Sequence, residues 1–348
     1  MSQRLPSVRP ALRRARVLSG GTGGRLELEI LEGPLSGEVV PGVVHEELGE
    51  RPPEGATVTA NTVGLEMGLG SGGFAVAVPC ASGGGELPRN RDHFVKLPYT
   101  PLQLPCPPAP QAESLADVPV AVLPLHSHLA PAAGAAAALR PGIRTTFLLQ
   151  EGGALPAGLS RTVRELRQRG LLYRVVTAGG CFGGDLEAPN VFSGLLAAAG
   201  DADLVLCGIG PGVVGTGSPY GHGGMSAATA LNAACALGAE PVLAPRLSAA
   251  DPRDRHRGLS HHSRAALSAA LGSCRVAVPE GGRDLLVPPD ALPERHAPVE
   301  VRFGAGGLEE RFGLTFESMG RGYTEDRVFF DAAAAAVALA LGAEGRSP

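Results

Sequence analysis

Residues 203–224 read DLVLCGIGPGVVGTGSPYGHGG, and this stretch decides the fold. Its first part, 203–209, is a short apolar run of the kind that forms a strand buried on both faces of a parallel sheet. A cluster of glycines follows, and then an apolar segment of helical length at 224–237. Strand, glycine-rich turn and helix in this order predict a βα unit.

The same rhythm runs through the rest of this part of the chain. The other strand-like runs lie at 118–125, 144–150, 172–178, 241–247 and 274–279, and the helix-like segments between them at 131–139, 158–169, 187–199 and 260–271. A last helix is predicted at 324–342, because Thr324 precedes two carboxylates in a first turn. The pattern predicts an α/β fold with a doubly wound, mostly parallel sheet and flanking helices.

The residues upstream have a different pattern. Apolar and charged residues alternate at 25–30, and Gly/Pro/Ser clusters separate further short runs. This predicts a small N-terminal β-barrel or sandwich over 20–97, preceded by an arginine-bearing lead-in at 1–20. A proline-rich connector is predicted at 98–116, and the α/β domain at 117–344.

Composition excludes several classes of protein. The net charge of −4 disfavours nucleic-acid binding, and no apolar run is long enough to span a membrane. Six scattered cysteines without a CxxC pair indicate free thiols in a reducing compartment, and no secretory signal is recognised, so a cytoplasmic location is predicted. The oligomeric state stays open, with a homo-oligomer as one option.

Polar motifs follow the predicted strands, namely HSHL (126–129), QEGGALP (150–156), GGCFGGDLEAPN (179–190), the glycine cluster and RLSAADPRDRHRGLSHHS (246–263). In a parallel sheet the carboxyl ends share one edge, where ligands of open α/β folds bind. We therefore expect His126, Gly153, Asp185, Gly212 and His261 to line one pocket.

Histidines and a carboxylate in these motifs predict a divalent metal site. The candidate ligands are His126, His128, Asp185 and His261, and the candidate catalytic groups are Asp185, His256 and His261. Alternatively, the HSHL histidines cap a helix and bond backbone, and Asp185 caps the helix predicted from 187. Because adjacent residues of a helix point about 100° apart, only one of His261 and His262 is expected to serve an ion.

A second set of residues predicts an anion site. Glycines before a helix permit close backbone approach to phosphate or carboxylate, and cationic side chains hold the same groups. The predicted anion-binding residues are Gly208, Gly210, Gly212, Gly215, Gly217, Arg253 and Lys96. The alternatives are a plain tight loop for the glycines, a solvated surface for Arg253 and a solvated linker position for Lys96.

Several motifs together resemble an uncharacterised bacterial family known only as a domain of unknown function. They are HFVKLPYTPLQ (93–103), HSHL, GGALP, FGGDLEAPN (182–190), GPGVVGTG (210–217), RLSAADPRDRHRGLSHHS, SMGRG (318–322) and FFDAA (329–333). The resemblance covers nearly the whole chain. It implies a shared architecture and set of signature positions, and no activity.

The sequence thus favours a small-molecule enzyme that performs metal-assisted hydrolysis or phosphoryl transfer on an anionic metabolite. The alternative is a non-catalytic module that senses a nucleotide or metabolite, because the same arginines and glycines would bind such a ligand without a proton-transfer partner. Tag-free metal analysis distinguishes the two.

Overall fold

The computed structural model describes residues 9–69, 72–80, 93–286, 292–343 and 345. The chain divides into two compact units, Met1–Leu87 and Pro88–Pro348. Residues 93–97, which the sequence pattern assigned to the first domain, thus belong to the second unit. No helix among the described residues combines the length and the apolar character that crossing a membrane requires.

The first unit is a closed five-stranded barrel in the order β1-β2-β3-β5-β4. Its strands are β1 (Leu12–Gly20), β2 (Arg25–Ile30), β3 (Val39–Val44), β4 (Thr57–Asn61) and β5 (Ala75–Ala77), with the short helix α1 (Val63–Glu66) between β4 and β5. Leu26, Leu28 and Ile30 are buried, as their alternation predicts. The described part of the predicted lead-in differs from expectation: Ala15 and Val17 are buried in β1, so this segment is a barrel strand.

The second unit begins with a hairpin of β6 (Phe94–Lys96) and β7 (Leu104–Cys106). Its eight-stranded sheet has the order β11-β10-β9-β12-β8-β13-β16-β17, and the recorded strand pairs are all parallel. The strands are β8 (Val120–Leu123), β9 (Thr145–Gln150), β10 (Arg174–Ala178), β11 (Leu186–Ala188), β12 (Leu204–Ile209), β13 (Val242–Leu243), β16 (Arg275–Pro279) and β17 (Ala297–Val301), and a separate ribbon joins β14 (Leu247–Ser248) to β15 (Gly258–Leu259). The predicted α/β fold is confirmed.

Helices cover both faces of this sheet. They are α2 (Leu129–Leu139), α3 (Arg161–Gln168), α4 (Val191–Ala199), α5 (Ser226–Ala236), α6 (His261–Ala269), α7 (Leu308–Phe312) and α8 (Arg327–Ala340). Leu123 contributes to the core that includes α2 and α8, whereas Val122 contributes to the core that includes α4 and α5. Successive residues of one strand thus face opposite layers, which explains the uninterrupted apolar runs of the sequence.

The order of the strands reverses at the centre of the sheet. The chain leaves β8 toward β9 on one side, and after β12 it crosses β8 to reach β13 on the other. Loops that leave the carboxyl ends of such neighbouring strands diverge and leave a crevice between them. The candidate site lies among the loops that follow these central strands.

Candidate functional site

Glycines lock together the loops that follow β9 and β12. A Cβ atom on Gly152 would lie 2.5 Å from the carbonyl oxygen of Gly223, and one on Gly153 would lie 2.2 Å from that of Gly210. Real Cβ atoms are not found so close to backbone oxygens, so these positions admit only glycine. The backbone packing fixes the path of residues 210–224 toward the next helix.

Four histidine rings gather where this path ends. His222 precedes the first turn before α5, His256 lies in the loop after β13, and His261 and His262 begin α6. Ring centroids are 3.9 Å apart for His222–His262, 4.4 Å for His261–His262, 4.8 Å for His256–His261 and 4.9 Å for His256–His262. We call these four residues the histidine cluster.

Three members of the histidine cluster present a possible metal site. His256, His261 and His262 each offer one ring nitrogen, and these three atoms all lie within 4.8 Å of one another. Zn–N bonds of about 2.0–2.1 Å in a tetrahedral site would place two ligand nitrogens roughly 3.4 Å apart. Small rotations of these side chains would close that difference, so ring nitrogens of both His261 and His262 lie within reach of one point.

The surroundings keep these imidazoles neutral. Burial, followed by the charges of Arg246 and Arg253, lowers the pKa of His256 to about 3. Burial, followed by His222 and Arg246, lowers the pKa of His262 to about 2. Burial also lowers the pKa of His222 and of His261. Neutral imidazole is the form that binds metal ions, so the cluster is ready for an ion at neutral pH.

Hydrogen bonds orient the ring of His256. His256 Nε2 accepts from Arg255 Nε at 3.4 Å, so Nδ1 carries the proton of the neutral ring and donates to Ser260 Oγ at 2.7 Å. Ser260 is also the N-cap of α6, where its Oγ accepts from His262 N at 3.2 Å. Arg255 therefore fixes the tautomer of a candidate ligand, and the N-cap serine of the helix holds its ring in place.

His222 carries an unused lone pair. Its Nε2–H donates to the carbonyl oxygen of Pro219 at 3.0 Å, which leaves Nδ1 unprotonated in the neutral ring. Within the part of the chain that the structure describes, Nδ1 is buried and has no hydrogen-bond partner, as is also true of His261 Nε2. The site therefore offers unsatisfied acceptors that a ligand or a proton would satisfy.

Three arginines surround one aspartate beside the histidine cluster. Asp251 is fully buried, and its Oδ2 lies 3.1 Å from Arg246 Nη2, 2.8 Å from Arg253 Nη2 and 3.3 Å from Arg321 Nη2. Burial opposes the charge of Asp251, but the bonds and charges of Arg253 and Arg246 outweigh it and lower the pKa of this carboxyl. Arg246 Nη1 also lies 3.4 Å from His262 Nδ1. The ion-paired group is thus joined directly to the candidate ligands.

The SMGRG segment closes this arrangement. Arg321 reaches both Asp251 and Asp326, and Asp326 accepts hydrogen bonds from Ser248 Oγ at 2.5 Å and Ala249 N at 3.2 Å. Ser318 accepts from Ser127 of the HSHL motif at 3.3 Å. Segments that are distant in sequence therefore converge at this edge of the sheet.

The HSHL histidines do not join the cluster as predicted. His126 donates from Nδ1 to Ile209 O at 2.9 Å and accepts at Nε2 from Ser160 Oγ at 2.7 Å, so both nitrogens are occupied. His128 is fully buried with its ring centroid 4.6 Å from that of Phe329. Burial lowers the pKa of these two histidines to about 4 and about 3, respectively. The half-buried His126 thus has no free ring nitrogen, and His128 lies in the core outside the histidine cluster.

Asp185 also lies elsewhere. Its Oδ2 accepts from Val175 N at 2.8 Å, near the amino end of β10, and its Oδ1 pairs with Arg167 at 2.7 Å. The chain turns back after β10 and adds β11 in parallel, where a helix was predicted from 187. The helix cap is Asn190, which accepts from Ser193 N. This reversal carries Asp185 away from the carboxyl edge and from the proposed roles of ligand and base.

Lys96 is a structural residue rather than an anion ligand. Its Nζ donates to the carbonyl oxygens of Thr177 and Cys181 at 2.9 and 2.5 Å and pairs with Glu187 at 2.5 Å. Lys96 is 2 % exposed, so its ammonium group interacts with partners inside the protein and not with a ligand in solvent. Cys181 beside it is buried, and that burial raises the pKa of its thiol to about 12, which disfavours a nucleophilic role.

The predicted anion-binding glycines have separate reasons to be glycine. Gly208 lies inside β12, where a Cβ would meet Leu123 O at 3.0 Å, and Gly210 packs against Ala154. Gly212 has a φ of 73°, Gly215 packs on His222, and Gly217 has open space around it. Loop geometry accounts for four of the five without an anion. Of the predicted anion ligands, Gly215 and Arg253 lie beside the histidine cluster.

Comparison with known proteins identifies the family. A family model described as "Protein of unknown function (DUF3866)" matches residues 42–337, well over half of the chain. The chain belongs to this family. No curated protein and no solved structure matches it. The family resemblance seen in the sequence is thus confirmed, and any activity has to be argued from the site.

Sequence reasoning did not select His222, Arg246 and Arg321 as site residues, and it considered His262 only as an alternative to His261. His222 was hidden in a glycine cluster that was interpreted as an anion loop, and Arg246 ends a predicted strand. For Arg321 a signal existed, because SMGRG was among the motifs shared with the family. It became interpretable only through its contact with Asp251, which is 70 positions away.

Proposed function

We propose that this protein is a metal-dependent enzyme that hydrolyses an anionic small molecule or transfers its phosphoryl group. His256, His261 and His262 hold the divalent ion, which would displace one of the two hydrogen bonds of the His256 ring. The observation that carries the proposal is that three neutral imidazoles, with ring nitrogens within 4.8 Å of one another, lie beside a group of largely buried arginines. Six free thiols are in keeping with work in a reducing cytoplasm.

The chemistry follows from the ligand count. Three protein ligands leave a position for water, and a bound divalent ion lowers the pKa of that water toward neutrality. His222 lies beside the triad with a free, buried Nδ1 that can accept a proton. The arginines beside the cluster favour a substrate with negative charge, because they outnumber the aspartates with which they pair.

The ligand set also indicates the kind of ion. Asp251 is the buried carboxylate that precedes His256 in the sequence. Three arginines pair with it, so it is not available to a metal. Imidazoles without carboxylates suit zinc, cobalt or nickel, whereas magnesium and calcium require oxygen ligands. We therefore expect the purified protein to carry a transition metal.

Elemental analysis of protein purified without an affinity tag tests the proposal. We expect about one transition-metal ion per chain, and we expect His256→Ala to abolish it because one of three ligands is removed. His93→Ala is the matched control, since His93 is exposed and outside the cluster. A preparation that carries a nucleotide and no metal, and that takes up none on addition of Zn²⁺, would instead support the non-catalytic sensor.

A further inference from the structure

The arginines around the histidine cluster exceed the acidic groups that pair with them. Arg246, Arg253 and Arg321 share Asp251, and Arg321 also reaches Asp326. Among the described residues no other carboxylate pairs with these three side chains. One positive charge therefore remains before any ligand is bound, in a region where burial weakens the screening by water.

Two more arginines add charge on the open side of the cluster. Arg255 Nε donates to His256 Nε2 at 3.4 Å, and Arg264 follows His261 by about one turn of α6. Neither has an ion pair with any carboxylate that the structure describes, whereas the neighbouring Arg257 pairs with Asp254 at 3.9 Å. Arg264 lies in the first turn of α6, whose N-terminus adds a positive partial charge.

A divalent ion bound by these three histidines would have no negative charge beside it to compensate its own charge. The ligands are neutral imidazoles, so they supply no negative charge, and the nearby carboxylates are already paired. His222 Nδ1 and His261 Nε2 are buried and lack hydrogen-bond partners among the described residues, so the cluster has polar groups that a ligand could satisfy. An anion that contacts both the ion and the unpaired guanidinium groups would remove the excess charge.

We propose that the site binds its metal ion and an oxyanion as a cooperative pair, with Arg255 and Arg264 holding the oxyanion. The inference rests on the proposed metal site and narrows its substrate class to molecules with a phosphate, sulfate or carboxylate group. Guanidinium groups recognise the planar or tetrahedral arrangement of oxygens in such groups. Coupling of this kind is reciprocal, so the metal tightens anion binding by the same factor.

Calorimetric titration of the metal-free full chain with Co²⁺ tests the coupling. The titration is run in sodium sulfate and in weakly coordinating sodium perchlorate at equal ionic strength. We expect Co²⁺ to bind about tenfold more tightly in sulfate, a typical size for coupling between sites. Sulfate titrated into the Co²⁺-loaded protein should gain the same factor over the metal-free protein.

Variants assign the effect to the two arginines. In Arg255→Gln and Arg264→Gln the sulfate enhancement should fall, while Co²⁺ affinity in perchlorate should stay equal or rise because a repelling charge is gone. Arg257→Gln is the control that keeps the full enhancement, since its charge is already paired. Equal Co²⁺ affinity in both salts overturns this inference and leaves the metal site standing, whereas no Co²⁺ binding in either salt overturns both.

Discussion

His126 and His128 follow β8, and His261 and His262 lie downstream of its neighbour β13, so both pairs leave the same edge of one sheet. Their surroundings differ. The first pair lies against Phe147 and Phe329 in the core, whereas the second meets two more imidazoles and Arg246. In both places the histidines are neutral, but only in the second do several of them converge.

The difference shows that spacing in the sequence does not decide what a histidine does. HxH suits a metal when both rings face one point, yet here α2 starts immediately and turns His128 into the core beneath α8. The adjacent pair His261–His262 was expected to diverge by about 100° along the helix. Because both rings are at the first turn, their long side chains fold toward His256 instead.

The largest expected effect is at Asp251, which is linked through Arg246 to His262 of the second pair. Asp251→Asn removes the charge that three arginines share, and we expect a loss of about 3–5 kcal/mol in the free energy of unfolding, as for other broken buried pairs. Urea denaturation measures it. Asp254→Asn is the control, since Asp254 is almost fully exposed and its loss should change stability by less than about 0.5 kcal/mol.

If Asp251→Asn unfolds no more easily than Asp254→Asn, the ion pairs of Asp251 do not stabilise the fold. The difference between the two histidine pairs would then not depend on these ion pairs. A folded Asp251→Asn protein should also bind divalent metal less well. With the shared carboxylate neutral, Arg246 and Arg253 would lose their carboxylate partner and would repel the ion, whereas Arg321 would keep Asp326.

A smaller effect is expected at Lys96, which the sequence pattern placed together with Arg253 as an anion ligand. Lys96→Ala should lower the free energy of unfolding by about 2 kcal/mol, below the usual 3–5 for a broken buried pair. The cost is reduced because Glu187 keeps hydrogen bonds from Thr177 Oγ1 and the amides of Gly183 and Gly184. Thermal melts should show this loss, with metal and sulfate binding unchanged.

Arg253→Ala is the matched comparison. Asp251 retains Arg246 and Arg321 in that variant, and about a third of the Arg253 side chain is already exposed, so the stability cost should be the smaller of the two. The opposite ranking, with Lys96 dispensable for folding and needed for binding, would restore the interpretation drawn from the sequence.

Periodicity was enough to predict the sheet, because strands such as β9 and β12 are buried on both faces and read as continuous apolar runs. It failed at Leu12–Gly20, where arginines on the outer face of β1 conceal the buried Ala15 and Val17. It failed again at β11, a three-residue edge strand whose register to β10 depends on the turn at Gly183 and Gly184.

The site was predicted in part for a related reason. Strand order places the loops after the central strands together, so the 246–263 segment could be assigned to the site from the sequence. Contacts such as Arg321–Asp251 and His222–His262 depend on loop paths that no periodicity encodes. Those paths are set by glycine-on-glycine packing between residues 152–153 and 210–223.

The smallest effect at neutral pH is expected at His128, whose contribution to stability depends on pH. The pKa of His128 is about 3 in the folded chain, against about 6.5 when unfolded, because burial excludes the charged form. Below pH 6.5 the unfolded chain therefore takes up a proton that the folded chain does not, and stability falls as the pH decreases. Each such histidine should contribute a slope of about 1.4 kcal/mol per pH unit between pH 6 and pH 4.

His128→Leu isolates one contribution. Leucine fills a similar volume and leaves no unpartnered ring nitrogen, so the variant should be about 1 kcal/mol more stable at pH 7. Its free energy of unfolding should also decrease less steeply as the pH falls, and the difference in slope should equal the contribution of one histidine. Urea midpoints at pH 4 to 8 measure both quantities. A variant that is less stable at pH 7 and has an unchanged slope would show that His128 makes polar contacts, and the division between a core pair and a site pair would fail.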